Sequence, residues 1–164
     1  MWTGDVTYIW THEGWIYLAV VIDLFNCQIV GFSMNKRMKR ALVIDALRMA
    51  WFRRRSAAGL IFHSERCSRY ASKDLTKLLA TFDRKASMSR NGHCWDNAVT
   101  ETLFGSLRVE RLHGMRFDTR RAAQDEVIDR ISIYNRRRMH STLGYVSTMA
   151  FGKNWLATRK QVAA

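Results

Sequence analysis

An α/β layered domain with a mixed sheet is the fold this sequence predicts, and three observations carry it. Three β-rich runs follow one another over residues 6–34 with only tight turns between them. A helix-spaced stretch, Lys39–Arg53, then leads to another short apolar strand, Leu60–Phe62. From Ser72 onward the pattern is mostly helical, so a strand meander comes first and helices follow. The 164 residues hold no proline, no internal repeat and no low-complexity linker, which fits one domain with one core.

Taken in order, Val6–Thr11 is short and β-rich. Gly14 interrupts it, and Trp15–Leu24 follows with Val20, Val21 and Ile22 in a row. Its length and β-branching read as a buried strand. Asn26 and Cys27 make a turn into a third strand, Gln28–Met34, so the three form an antiparallel meander. In Lys39–Arg53, Leu42, Ala46, Leu47, Ala50 and Trp51 recur at helical spacing, and Gly59 closes the region. Ser72 can cap a helix running through Leu79, with Asp74 in its first turn. Asn91-Gly92 signals a turn before a helix from near Asp96 to Leu112. The last helix starts near Asp118-Thr119. Its buried stripe is Ala123, Val127, Ile131 and Tyr134, with Asp125, Glu126 and Asp129 facing water. Lys153–Ala164 reads as a frayed or weakly docked tail, which leaves residues 1–152 as the folded core. Trp2, Trp15, Trp51, Trp95 and Trp155 read as core aromatics.

Charge narrows the partner. Lys plus Arg number 27 against 14 for Asp plus Glu, a net of +13, which points to a polyanion, most simply nucleic acid. An anionic membrane would also attract such a chain, but no apolar run approaches the ~20 residues of a spanning helix. Met1–Tyr8 has no signal-peptide pattern. The three cysteines, Cys27, Cys67 and Cys94, form no CxxC pair and read as free thiols in a reducing cytoplasm. Four basic clusters stand out: Lys36-Arg37-Lys39-Arg40, Arg53-Arg54-Arg55, Arg120-Arg121 and Arg136-Arg137-Arg138. Each can be a solvated face, and Arg53–Arg55 also suits a helix C-terminus. Together in one basic domain they favour phosphate contact.

Acidic residues matter by position. Asp5 sits at the start of the first strand, Glu65 just past the strand Leu60–His63, and Glu101 inside a helix. Carboxylates at adjacent strand ends can converge with one from a packed helix. Hard cations such as Mg²⁺ take oxygen ligands. Two such ions, ~4 Å apart, can serve an in-line displacement at phosphorus. Spacing alone also allows three unrelated surface charges.

The local strings decide between these. GDVTYIWTHEGWIYLAVVIDLFNCQIVGFSM, LIFHSERCSRYAS, SMSRNGHCWDNAVTETLFGSLRVERL and YNRRRMHSTLGYVS occur in this order. They closely resemble the integrase-like core of insertion-sequence transposases made from a second reading frame, over roughly residues 1–152. The resemblance implies an RNase H-like fold, with a mixed five-stranded sheet flanked by helices. It implies two Mg²⁺ (or Mn²⁺) ions held by two Asp and one Glu, falling here on Asp5, Glu65 and Glu101. The family separates its second and third acids by thirty-five residues, and 35 residues stand between Glu65 and Glu101 here. The three carboxylates are then expected to cluster within ~5–8 Å. DNA, as element ends and target, is the implied partner, and cleavage followed by strand transfer the implied reaction. Self-association is left open. Asn97, Arg108, Arg136, Arg137, Arg138 and His140 are the candidate DNA contacts, the Arg136–His140 run foremost because it lies in a family motif. Asp96 and Asn97 can instead simply cap a helix.

This chain departs from the pattern. Where the family has a HSDRGSQY-like string, this one reads HSERCSRY, so Glu65, Cys67 and Arg69 replace Asp, Gly and Gln. Glu65 carries its carboxylate one methylene further out, ~1.5 Å, and Cys67 is strained if that position needs positive φ. Val146-Ser147-Thr148 lacks the proline usual there, and the chain begins close to Asp5, without room for an upstream helix-turn-helix. A truncated or decayed copy accounts for these features. The alternatives to an active transposase core are an inactive remnant that binds DNA and an RNase H-like nuclease. His63 and Ser64 either orient the loop of the second acid or are ordinary strand-end polar residues. Asp23 reads as structural. Cys67, His93 and Cys94 lack the fourth ligand and spacing of a zinc site.

Overall fold

The structure, a computed structural model, describes residues 1–54, 59–64, 72–88, 104–105 and 115–162. Three antiparallel strands open it: β1 (Trp2–Ile9), β2 (Ile16–Asp23) and β3 (Gln28–Asn35). Helix α1 (Arg40–Arg53) leads to β4 (Ile61–Ser64), and α2 (Lys73–Thr81) to β5 (Lys85–Met88). Both β4 and β5 are parallel to β1, giving one mixed five-stranded sheet in the order β3-β2-β1-β4-β5. Helix α3 (Arg120–Arg136), a two-stranded ribbon of β6 (Met139–His140) and β7 (Val146–Ser147), and α4 (Thr148–Val162) complete the described chain.

Side chains alternate across the sheet and build a core on each face. On one face Ile16, Leu18, Val20 and Ile22 of β2 meet Ala123, Val127, Ile131 and Tyr134 of α3, the stripe read from the sequence. On the other, Ala19 and Val21 meet Leu42, Val43, Ala46, Leu47 and Ala50 of α1 and Leu75 and Leu79 of α2. The α1 contact is close because β3 carries Gly31. A Cβ there would lie 2.2 Å from the Ala46 carbonyl oxygen and 2.7 Å from the Ala50 nitrogen. Ser72 caps α2 as the sequence predicts, and Thr119, near the predicted start of the last helix, caps α3. Ser72 Oγ accepts from the Leu75 N–H (3.3 Å) and Thr119 Oγ1 from the Ala122 N–H (3.1 Å).

Four expectations are corrected. The first strand begins at Trp2, not Val6, because Trp2, Thr3 and Gly4 pair with β4 on one side and β2 on the other. Asp5 is therefore inside a strand. The tail boundary at 152/153 is crossed by α4. That helix is started by buried Thr148, whose hydroxyl donates to the Asn135 carbonyl (3.0 Å), and by Ser147 Oγ accepting from the Ala150 N–H (3.2 Å). Trp15 and Trp155 are not core, at 43% and 38% exposed, whereas Trp2 is fully buried. Trp155 instead packs on Phe25 of the β2–β3 turn (ring centroids 5.1 Å). Glu126 does not stand free in water; it holds Arg130 one turn on, both largely covered. The expected Asp96–Leu112 helix lies outside the described residues, apart from helical Phe104 and Gly105.

Candidate active site

Strand parity gives the site its setting. Trp2 and Val6 pack on the α1 side, and Ile9 on the α3 side. Thr3, Asp5 and Thr7 therefore share the α3 face, and Asp5 sits opposite Val20, a member of that core. In β4, Phe62 pairs with Trp2 on the α1 side, so His63, beside Thr3, comes to the α3 face. Ser87 of β5 is in register with His63, and its Oγ lies 3.2 Å from His63 Nδ1. The α3 face thus has two halves. Over β2 it is aliphatic and sealed by α3. Over β1, β4 and β5 it carries a polar strip of Thr3, Asp5, Thr7, His63 and Ser87.

Asp5 is half-buried in that strip, and its carboxylate accepts the Val6 N–H at 2.6 Å. Ser64, the end of β4, pairs with Gly4, the residue before Asp5. Phe104 is 6% exposed and belongs to the core on this same face. Glu65, Glu101, Asn97 and Arg108 lie outside the described residues. Among the described residues no three His, Cys, Asp or Glu side chains gather as a metal-binding group.

The Arg136–His140 run lies elsewhere. It follows α3, whose C-terminal turn docks on the edge strand β3 through Asn135. The Asn135 side chain accepts the Ile29 N–H (3.0 Å) and donates to the Ile29 carbonyl (2.9 Å). Ile29 stands beside a bulge: Ile22 pairs with Ile29 but Val21 with Gly31, leaving Val30 over. Sequence reading missed this role. Its signal is that Asn135 continues the Ala123–Val127–Ile131 stripe at a spacing of four. Arg136 and Arg137 are exposed, while Arg138 packs over the Tyr134 ring at 5.7 Å. His140 meets Tyr134 edge-on at 5.1 Å. Its Nε2 is buried without a partner among the described residues, and desolvation, then the nearby Arg138 charge, hold its pKa below the usual histidine value. Burial pushes the Tyr134 hydroxyl and the Cys27 thiol up. Asp23 is structural, paired with Arg54 and accepting the Phe25 N–H (3.1 Å). Arg84, also missed from the sequence, is buried against Trp51 (4.7 Å) and Trp2 (5.8 Å).

Known proteins are similar to this chain in sequence and in fold. Two family models, each described as an integrase core domain, match residues 1–94 and 83–147. The transposase InsF of insertion sequence IS3A from Escherichia coli K12 is 43% identical over 157 residues, covering 95% of this chain and 54% of that protein. An uncharacterized 31 kDa protein of insertion element IS600 from Shigella sonnei is 42% identical, covering 94% and 57%. The chain spans about half the length of these curated relatives. In fold it is similar to the HTLV-2 integrase catalytic core solved with magnesium (TM-score 0.64, 14% identity, 92% of this chain and 93% of that one). It is also similar to the catalytic domain of Mos1 mariner transposase (TM-score 0.64, 16%, 80% and 69%). The fold, with its mixed five-stranded sheet, is thus that of the RNase H-like catalytic cores of integrases and transposases. No described helix is long and apolar enough to cross a membrane. With a family match over more than half its length, the chain belongs to the integrase core domain family.

Proposed function

We propose that this chain is the catalytic core of a DNA transposase, cleaving and joining phosphodiesters at a site made of Asp5, Glu65 and Glu101. The observation that carries the reading is the position of Asp5 on the polar half of a face whose other half is closed. Two further features support it. Glu65 directly follows Ser64 in sequence, and Ser64 pairs with Gly4, the residue before Asp5. Glu101 precedes Phe104 by three residues in sequence, and Phe104 is buried on the Asp5 face. The donor set is entirely carboxylate oxygen, which suits Mg²⁺ or Mn²⁺ rather than a softer ion. Asp5, Glu65 and Glu101 would hold the ions, which would supply stabilisation of the negative charge that builds up in phosphoryl transfer. The Val6 N–H fixes the Asp5 carboxylate, and the contact between His63 and Ser87 steadies the end of β4 from which Glu65 departs. DNA is held by the excess of Lys and Arg, with Arg136 and Arg137 as exposed phosphate contacts and Asn97 and Arg108 closer to Glu101 in sequence.

Glu65 in place of the family Asp makes this a weak catalyst. The test is a strand-transfer assay on a pre-nicked element end with Mn²⁺, comparing the chain, the pair Glu65→Asp with Cys67→Gly, and that pair with Asp5→Asn added. Joining should rise in the pair and vanish with Asp5→Asn. Joining that survives Asp5→Asn would remove the carboxylate site from the mechanism. Duplex cleavage without joining would favour the nuclease reading.

A further inference from the structure

The end of the sheet at the β1–β2 connection carries a feature that the carboxylate site does not use. Tyr8, Trp10 and Trp15 are 51%, 55% and 43% exposed, although they touch one another. Trp15 meets Tyr8 with ring centroids at 5.0 Å and Trp10 at 4.8 Å, both near-perpendicular. These contacts fix the rings, so little ordering cost remains for a ligand that covers them. Tyr8 lies opposite Tyr17, which packs on the α1 side of the sheet, so the cluster is on the other face from Asp5.

Positive charge flanks the rings. Tyr17 in turn pairs with Asn35, the last residue of β3, and exposed Lys36, Arg37 and Lys39 follow directly. On the opposite flank the His12 N–H donates to the Phe117 carbonyl (2.9 Å), which brings exposed Arg116 to the same end. Glu13 is engaged, since its carboxylate accepts the Arg120 N–H at 2.8 Å. Exposed aromatic faces between cationic side chains suit a polyanion that also offers flat apolar faces. Duplex DNA offers its phosphates but keeps its bases stacked on each other; an unpaired strand offers both.

We infer that this end of the sheet binds unpaired DNA, with bases stacking on Tyr8, Trp10 and Trp15 and phosphates held by Lys36, Arg37, Lys39 and Arg116. The inference rests on this surface alone, and its failure leaves the Asp5 site untouched, because the two lie on opposite faces and are read by different variants.

The test uses the full chain and fluorescence anisotropy. The probes are a labelled oligothymidylate of about 20 nucleotides, longer than the stretch one such surface covers, and a duplex of equal length. Trp10→Leu should weaken single-strand binding at least about fivefold, the low end for one base–aromatic stack, and leave duplex binding within about twofold. Trp10→Phe keeps a ring and should retain most of the affinity. Lys36→Gln with Arg37→Gln should weaken both probes and flatten the salt dependence. Melting curves of each variant separate loss of the surface from loss of the fold. Equal losses for the two probes, no loss in Trp10→Leu, or equal losses in Trp10→Leu and Trp10→Phe would overturn the inference. So would a change in self-association with DNA binding intact, which would make this a protein–protein surface.

Discussion

Replacing Asn135 by Ala should destabilise the fold without touching the chemistry. The side chain satisfies both backbone groups of Ile29 at 3.0 and 2.9 Å, where β3 is the outermost strand of the sheet among the described residues. Each buried backbone group left unsatisfied costs about 1–3 kcal/mol. Water can reach an edge strand once the amide is gone, so the loss lies toward the lower end, about 2–3 kcal/mol in all. For a domain of this size about 1 kcal/mol moves Tm by roughly 2–4 °C, so a fall of roughly 5–10 °C is expected. Asn135→Asp keeps the acceptor, loses the donor and brings a carboxylate to the Ile29 carbonyl, so it should not rescue. Thermal unfolding followed by far-UV circular dichroism reads this directly, with Arg136→Gln as the exposed neighbour that should change Tm by less than about 1 °C. A Tm within about 2 °C of the unsubstituted chain for Asn135→Ala would refute the structural role. The Tyr-Asn-Arg motif would then have to act through DNA, as its basic residues alone suggest.

Gly31→Ala should cost more than a usual surface change, about 3 kcal/mol or above, because the new methyl meets the α1 backbone at Ala46 and Ala50 rather than a side chain that can turn away; urea unfolding gives the value, and an unchanged midpoint would show that α1 rides freely on β3. Stability should also fall on mild acidification through His140. Its folded pKa lies below the ordinary value near 6.5, so the unfolded chain binds the proton more readily and stability rises with pH. The contribution is complete above about 6.5 and is lost as pH falls through the depressed folded value. His140→Gln should flatten Tm against pH in that window; an unaltered slope would place the acid sensitivity elsewhere.

What the sequence made legible was local. The β2 run Val20-Val21-Ile22, the cap at Ser72, the start of α3 near Thr119 and the α3 stripe each depend on residues within a few positions, and all appear. Features made by distant pairing were not legible. Thr3 and Gly4 become strand by pairing with Ile22 and Val21 on one side and with His63 and Ser64 on the other. Lys85-Ala86 has weak strand propensity and is held by Ile61 and Phe62. Residue-level reading placed no strand there, and the fifth strand entered only through the family resemblance. Asn135 and Ile29 are 106 residues apart, so no window joins them. Exposed Trp15 and Trp155 show that a large aromatic is not core by type alone, since each rests on other rings at the surface. At the candidate site Asp5 was legible from its motif, but its face came only from strand parity. Glu65 and Glu101 stand on motif spacing and on the described neighbours Ser64 and Phe104.

Mn²⁺ titration by calorimetry decides whether Asp5, Glu65 and Glu101 share one divalent-ion site. Mg²⁺ demands near-octahedral geometry, so Mn²⁺, the more forgiving ion, is the probe. The chain should bind it weakly, and Asp5→Asn and Glu101→Gln should each abolish the heat of binding. Glu65→Asp with Cys67→Gly should tighten binding about tenfold or more, since misplacing a group by about 1 Å is costly at such sites. Unchanged Mn²⁺ binding in Asp5→Asn would contradict the shared site, and equal affinity in the chain and the Glu65→Asp, Cys67→Gly pair would make Glu65 an adequate ligand as it stands.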